Sequence, residues 1–194
     1  MHGVDPPGDT LTTDQLSGLF LNRSMTLSSS FTALPVCRGT YLLHLRITTA
    51  VTCHIGALGV WQLAPGDYAY VGSAFGPGGV RARVSHHLAS YARPRWHLDY
   101  LRDVATISAV WYSCDPRRRE ALWSRLLAGW PGVTQPVPGF GASDCKAGSV
   151  VQSHLFWFDP PPSLAAFYGV VQKRAPRHAA IVAIDAARLR QGRP

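Results

Sequence analysis

Glutamate is nearly absent from this chain. Glu120 is the only one in 194 residues, and Lys146 and Lys173 are the only lysines, so every other acid is an aspartate and every other cationic side chain an arginine. Cysteine is sparse and scattered: Cys37, Cys53, Cys114 and Cys145 form no CxxC pair. That spacing reads as reduced thiols in a cytoplasmic protein rather than as a disulfide framework. No apolar run reaches membrane-spanning length, and no basic segment followed by a long apolar run marks a secretory signal. A GK[ST] phosphate loop is missing, which argues against a nucleotide cofactor. Internal repeats and low-complexity blocks are missing too.

What is present describes a globular domain with an anionic partner. Hydrophobic residues make up 46% of the chain, enough to bury a core at this length. The formal net charge is +8 and the sequence pI about 9.8, and nucleic acid is the commonest partner of a basic soluble domain. The arginine skew, beside abundant Ala, Gly and Pro, leaves genome composition open as another source of that charge.

Residues 1–35 read as a loose extension with a short helix near Thr13–Leu21. Gly39–Ile47 alternates Tyr41, Leu43 and Leu45 with Leu42, His44 and Arg46, the period of a half-buried strand. Val51–Ile55 and Val60–Leu63 suggest a hairpin inserted before the next strand. Trp96–Val104 is expected to be a short helix with Trp96, Tyr100 and Val104 inward and Asp99 paired to Arg102 outside. Thr106–Ser113 reads as a strand. Asp115-Pro116 predicts a helix start that runs through Leu127. Ser153–Phe158 reads as the last strand. A short helix over Ser163–Val171 and another around Ala179–Arg190 complete a basic C-terminal extension over 159–194.

The stretch Tyr68–Leu88, YAYVGSAFGPGGVRARVSHHL, organises the rest. Tyr68–Val71 has strand character, Gly76–Gly79 turns the chain, and Val80, Val84, Leu88 and Tyr91 recur at helical spacing. Arg83 and His87 lie one turn apart, each beside an inward position, so both emerge at one edge of the buried stripe. With a tyrosine on the strand and free N–H groups at the helix start, this makes a phosphate-binding arrangement. Tyr70-Val71-Gly72, the helical Arg83 and His87, and an earlier Gly39-Thr40-Tyr41 resemble the motif of GIY-YIG nucleases. LAPGDYAYVGSA, RWHLDYLR, VWY, PVPGFGASDC and SHLFWF extend the likeness to an uncharacterised stand-alone branch of that superfamily, a domain also found fused to endonuclease III. The resemblance covers roughly Cys37 to Phe158.

The resemblance implies an α+β fold, a small mainly antiparallel sheet flanked by helices, in a nuclease domain over 36–158. It implies a metal-dependent endonuclease acting on DNA in repair or processing. Tyr41 and Tyr70 would handle water and phosphate, Arg83 the phosphate charge, and His87 orientation or proton transfer. Glu120 would anchor one Mg²⁺ or Mn²⁺ ion. Gly72, Ser73, Arg81 and Arg117 are candidate nucleic-acid contacts, and Asp144 or His154 would fill the last polar position. Blander roles stand beside each: strand aromatics packing a sheet for the tyrosines, a solvated helix arginine for Arg83, a partly buried histidine for His87, and an ion pair with Arg117 for Glu120. The competing function is a nucleic-acid-binding module that keeps this fold without turnover.

Overall fold

The computed structural model describes residues 34–89, 93–142 and 150–191. The predicted helix at Thr13–Leu21, Tyr91, Asp144 and Cys145 lie outside them. Five antiparallel strands form one sheet: β1 (Gly39–Ile47), β4 (Gly66–Ala74), β5 (Thr106–Ser113), β6 (Leu155–Phe158) and β7 (Val182–Asp185), in the order β6-β4-β1-β5-β7. Strands β2 (Val51–His54) and β3 (Val60–Leu63) pair as a separate hairpin. Helices α1 (Gly79–Leu88), α2 (Glu120–Ala128), α3 (Leu164–Arg174) and α4 (Ala186–Gln191) flank the sheet. This is the small, mainly antiparallel α+β fold that the resemblance implies. Among the described residues no helix is long and apolar enough to cross a membrane.

Alternation along β1 sends side chains to two cores. Tyr41, Leu43 and Leu45 join Tyr68, Tyr70, Val80, Val84, Leu98 and Leu101 on one face. Leu42 goes to the other, with Val71, Trp111, Trp123, Leu127, Phe156 and Phe167. The first core holds α1 against the sheet; the second is covered by α2 and α3.

Five expectations are corrected. Residues His97–Leu101 form a 3₁₀ turn rather than an α-helix; its three-residue period buries Leu98 and Leu101, Asp99 is buried beside them instead of facing outward, and Tyr100 and Val104 pack against the core only in part. Helix α2 begins at Glu120, not at Asp115. The Asp115 carboxylate accepts the N–H of Arg117 at 2.9 Å and that of Ala179 at 3.1 Å, which holds the segment in a turn. Leu155–Phe158 is not the last strand, because Val182–Asp185 adds β7 along β5 where a helix was expected. The helix that follows is only α4, its first turn capped by Asp185 Oδ1 accepting the Ala187 N–H at 2.7 Å. Finally, Cys37 and Cys114, 77 residues apart, form a disulfide. Reduced thiols, on which the cytoplasmic expectation rests, are therefore not found at this pair; Cys53 is a free, buried thiol.

Candidate active site

Tyr41 on β1 lies opposite Gly72 on β4. Its ring covers the glycine: a Cβ there would overlap Cζ and Oη and sit 2.8 Å from Cε1. The glycine of Tyr70-Val71-Gly72 is thus a steric requirement of the first tyrosine, buried beneath it rather than open to a ligand. Gly39, the other motif glycine, is equally constrained, since a Cβ would run into the Ser113 carbonyl of β5.

Helix α1 buries Val80, Val84 and His87 along one stripe. That registers His87 over the sheet, where its Nε2 and Tyr41 Oη form a hydrogen bond of 2.8 Å. Tyr70 completes a triangle of rings, 6.4 Å from Tyr41 and 5.9 Å from His87 between centroids. Burial raises the Tyr41 hydroxyl well above its ordinary range; Tyr70 and Glu120 add to this and Arg83 opposes it. Burial likewise raises Tyr70, with Glu120 reinforcing and Arg83 opposing. Both phenols therefore rest protonated. Burial lowers His87, so its imidazole rests neutral.

A residue with no predicted site role stands behind His87. Asp99 Oδ1 lies 3.9 Å from His87 Nδ1, an atom that is buried and has no hydrogen-bond partner among the described residues. The carboxylate also accepts the N–H groups of Arg95 at 2.8 Å and Trp96 at 3.0 Å, and Arg102 Nη2 at 2.8 Å, while His86 Nε2 approaches to 3.3 Å. Burial works to raise the Asp99 carboxyl, but contacts from His87, the two backbone N–H groups and His86 outweigh it and hold it well below the carboxylate range. A carboxylate beyond Nδ1 places the imidazole proton there and leaves Nε2 to accept from the Tyr41 hydroxyl. The sequence signal for Asp99 is its place three residues after Trp96, where an acid satisfies the N–H groups opening a turn.

Arg83 stacks its guanidinium on Trp96, 4.4 Å from the ring centroid. Its charge acts on Tyr41, Tyr70 and His87. Arg81, two residues earlier, turns away and donates from Nε to the Leu34 carbonyl at 2.6 Å. His86 is spent on Asp99 and on an edge contact with Trp96 at 4.1 Å.

Glu120 opens α2, whose start is held to β1 by the Arg119 N–H donating to Thr40 Oγ1 at 3.0 Å. Asp115 backs this junction through an ion pair to Arg119 at 3.0 Å. Glu120 Oε1 lies 3.4 Å from His154 Nδ1, a buried atom with no hydrogen-bond partner among the described residues. Glu120 does not pair with Arg117, which is exposed beside Arg118, and Arg118 lies over Phe75. Ser73 Oγ is buried with no partner among the described residues. His154 is fixed at the β4 edge, its N–H donating to the Phe140 carbonyl at 2.8 Å and its carbonyl accepting the Val71 N–H at 3.0 Å. Tyr41, Tyr70, Arg83, His87, Glu120 and His154 thus converge, with Asp99 added, while Arg81 and Arg117 lie outside the cluster.

No match to the chain was found among curated proteins, and none among solved structures. A family model matches residues 40–175, a span that takes in every residue of this cluster. The chain belongs to that family, described as domain of unknown function DUF123.

Proposed function

We propose that the chain is a metal-dependent endonuclease of GIY-YIG type, hydrolysing phosphodiester bonds in DNA during repair or processing. The observation that carries this reading is the 2.8 Å hydrogen bond between Tyr41 and His87, within a cluster that also holds a guanidinium and a carboxylate. A phenol kept protonated by burial is a poor resting base, so the proton must have somewhere to go. The attacking water bonds to phosphorus as the ester P–O bond breaks. His87 Nε2 takes the Tyr41 proton as Tyr41 takes one from that water, and Asp99 steadies the imidazolium that forms. The departing alkoxide takes its proton from solvent. Tyr70, protonated, donates to a phosphate oxygen. Arg83, already oriented by Trp96, offsets the charge that builds on the phosphate.

Among the described residues no group of three or more His, Cys, Asp or Glu side chains is arranged to hold a metal together. The donor set still fits a hard divalent ion that keeps most of its waters and takes one carboxylate plus the substrate phosphate. Glu120, a quarter exposed at the cluster edge, would be that carboxylate. The ion would supply charge stabilisation at the scissile phosphate.

The test is cleavage of plasmid and branched DNA with Mg²⁺ or Mn²⁺, comparing the parent with Arg83→Ala and Glu120→Ala after each is shown to fold. Cutting by the parent alone supports the assignment and both roles. Salt-sensitive binding without cutting by any of the three favours the non-catalytic binding module. Equal cutting by all three removes the site assignment.

A further inference from the structure

Two clefts meet at Trp96. One, about 320 Å³, is lined by Tyr70, Trp96, His97, Tyr100, Arg95 and Gly141. The other, about 270 Å³, runs along the start of α1 past Gly76, Gly79 and Arg83 and shares Arg95 and Trp96 with the first. Their chemistries differ. The second is lined by Ala74, Gly76, Pro77, Gly79 and Ala82 beside His86, and carries both guanidiniums, Arg83 and Arg95, as a phosphodiester backbone needs. The first is walled by four aromatic rings, has one cation and no acidic side chain, and has Tyr70 of the proposed active site in its wall.

The aromatic cleft is held open by backbone. Gly141 has φ +67°, and a Cβ on it would come within 3.0 Å of the Tyr70 ring. Its N–H donates to His97 Nδ1 at 2.9 Å, which fixes this rim. Across the cleft Gly56 has φ +48° and would bring a Cβ within 3.0 Å of the Tyr100 hydroxyl. Side chains at either glycine would crowd the ring beside it. Trp96 itself is braced by His86 and Arg83, so its indole is set in place before any ligand arrives.

We infer that the aromatic cleft receives one unpaired nucleobase adjoining the scissile phosphate, while the phosphate strand follows the arginine-lined cleft beside it. The inference rests on the nucleic-acid reading of the site and names its substrate class: DNA with an unstacked nucleotide, not continuous duplex. Planar rings and a guanidinium recognise a base by stacking, which tolerates any sequence. A base still paired in a duplex cannot enter such a cleft without leaving its stack.

The experiment is fluorescence anisotropy with the full chain in Ca²⁺ and moderate salt. It uses three labelled probes: a duplex with one bulged nucleotide, the same duplex with that position abasic, and the fully paired duplex. Stacking of one base against aromatic side chains predicts about 10- to 100-fold tighter binding of the bulged probe than of the other two. Trp96→Leu and Tyr100→Leu should each shrink that preference. Equal affinity for the bulged and abasic probes overturns the inference even if the protein cuts DNA. A base-dependent preference without cutting sustains the cleft and removes only the catalytic reading. Failure to bind any probe overturns both.

Discussion

Replacing Gly72 by alanine tests the geometry on which the site rests. In most strands this change is mildly favourable, because glycine loses more chain entropy on folding, by roughly 0.5–1 kcal/mol. Here the added Cβ overlaps the end of the Tyr41 ring and lies 2.8 Å from its Cε1. Ordinary carbon–carbon contact is about 3.5–4.0 Å, so the ring must move by about 1 Å. The 2.8 Å Tyr41–His87 bond cannot follow that shift, since His87 is held by α1. Overpacking costs about 1–3 kcal/mol and the lost hydrogen bond about 1 more; offset by the entropic gain of roughly 0.5–1, Gly72→Ala should destabilise by about 1–3.5 kcal/mol. Cleavage should fall with it. Urea unfolding followed by tryptophan fluorescence reads the stability change, in the parent and in a Tyr41→Leu background. With leucine at 41 the ring is gone, and the alanine penalty should drop below about 1 kcal/mol. An equal penalty in both backgrounds would refute the overlap and with it the placement of Tyr41 over Gly72.

Three further outcomes follow from the same structure. Tyr41→Phe keeps the buried ring but orphans His87 Nε2; it should cost about 1–3 kcal/mol in urea unfolding and abolish cleavage, and retained cleavage would remove Tyr41 from the proton path. Burial lowers His44 to about 4. Between an unfolded value of about 6.5 and that folded value the unfolded chain binds the proton first, so stability falls as pH drops through this window, by up to about 3 kcal/mol from this group. His44→Gln should flatten that part of the stability–pH curve, and an unchanged slope would count against it. The Cys37–Cys114 disulfide closes a loop between positions 77 apart, so reductant should destabilise the parent by about 2–4 kcal/mol and leave Cys37→Ser/Cys114→Ser unchanged. A melting temperature indifferent to reductant would contradict the bond.

The strands of the sheet core were legible from alternation in Gly39–Ile47 and from the aromatic and β-branched residues of Tyr68–Val71 and Thr106–Ser113, although β1 is buried on both faces rather than one. Helical spacing from Val80 and Val84 made the Arg83/His87 pair legible too, although His87 is buried within the stripe rather than emerging at its edge. What escaped depends on partners far along the chain. Asp115 looks locally like a helix cap, yet it is claimed by Ala179 from the far end, and α2 waits until Glu120. Val182–Asp185 sits among helix-favouring alanines, and only an open edge on β5 makes it a strand. Asp99 was read as half of a surface pair with Arg102; that pair exists, but the 3₁₀ turn buries the carboxylate against His87. Cysteine spacing carries no distance information, so the ends of β1 and β5 that bring Cys37 to Cys114 could not be seen.

The two cores also explain how Glu120 comes to act on tyrosines seated on the opposite face. Tyr41 and Tyr70 belong to the α1 side of the sheet, whereas α2 packs Trp123 and Leu127 on the other. A complete sheet would separate them. Strand β6, however, pairs with β4 only as far as Tyr70 opposite Leu155, while β4 runs on to Ala74. Beyond that point the His154 carbonyl takes the Val71 N–H, and Glu120 approaches the His154 ring there. The α2 start is tied from three directions: Thr40 on β1, Asp115 after β5, and through Asp115 the Ala179 backbone ahead of β7. The C-terminal segment is therefore part of the device that sets the carboxylate. Thr40, at the centre of the Gly39-Thr40-Tyr41 triplet, has its own reason to be a hydroxyl residue: it accepts the Arg119 N–H on one face while its neighbour Tyr41 meets His87 on the other.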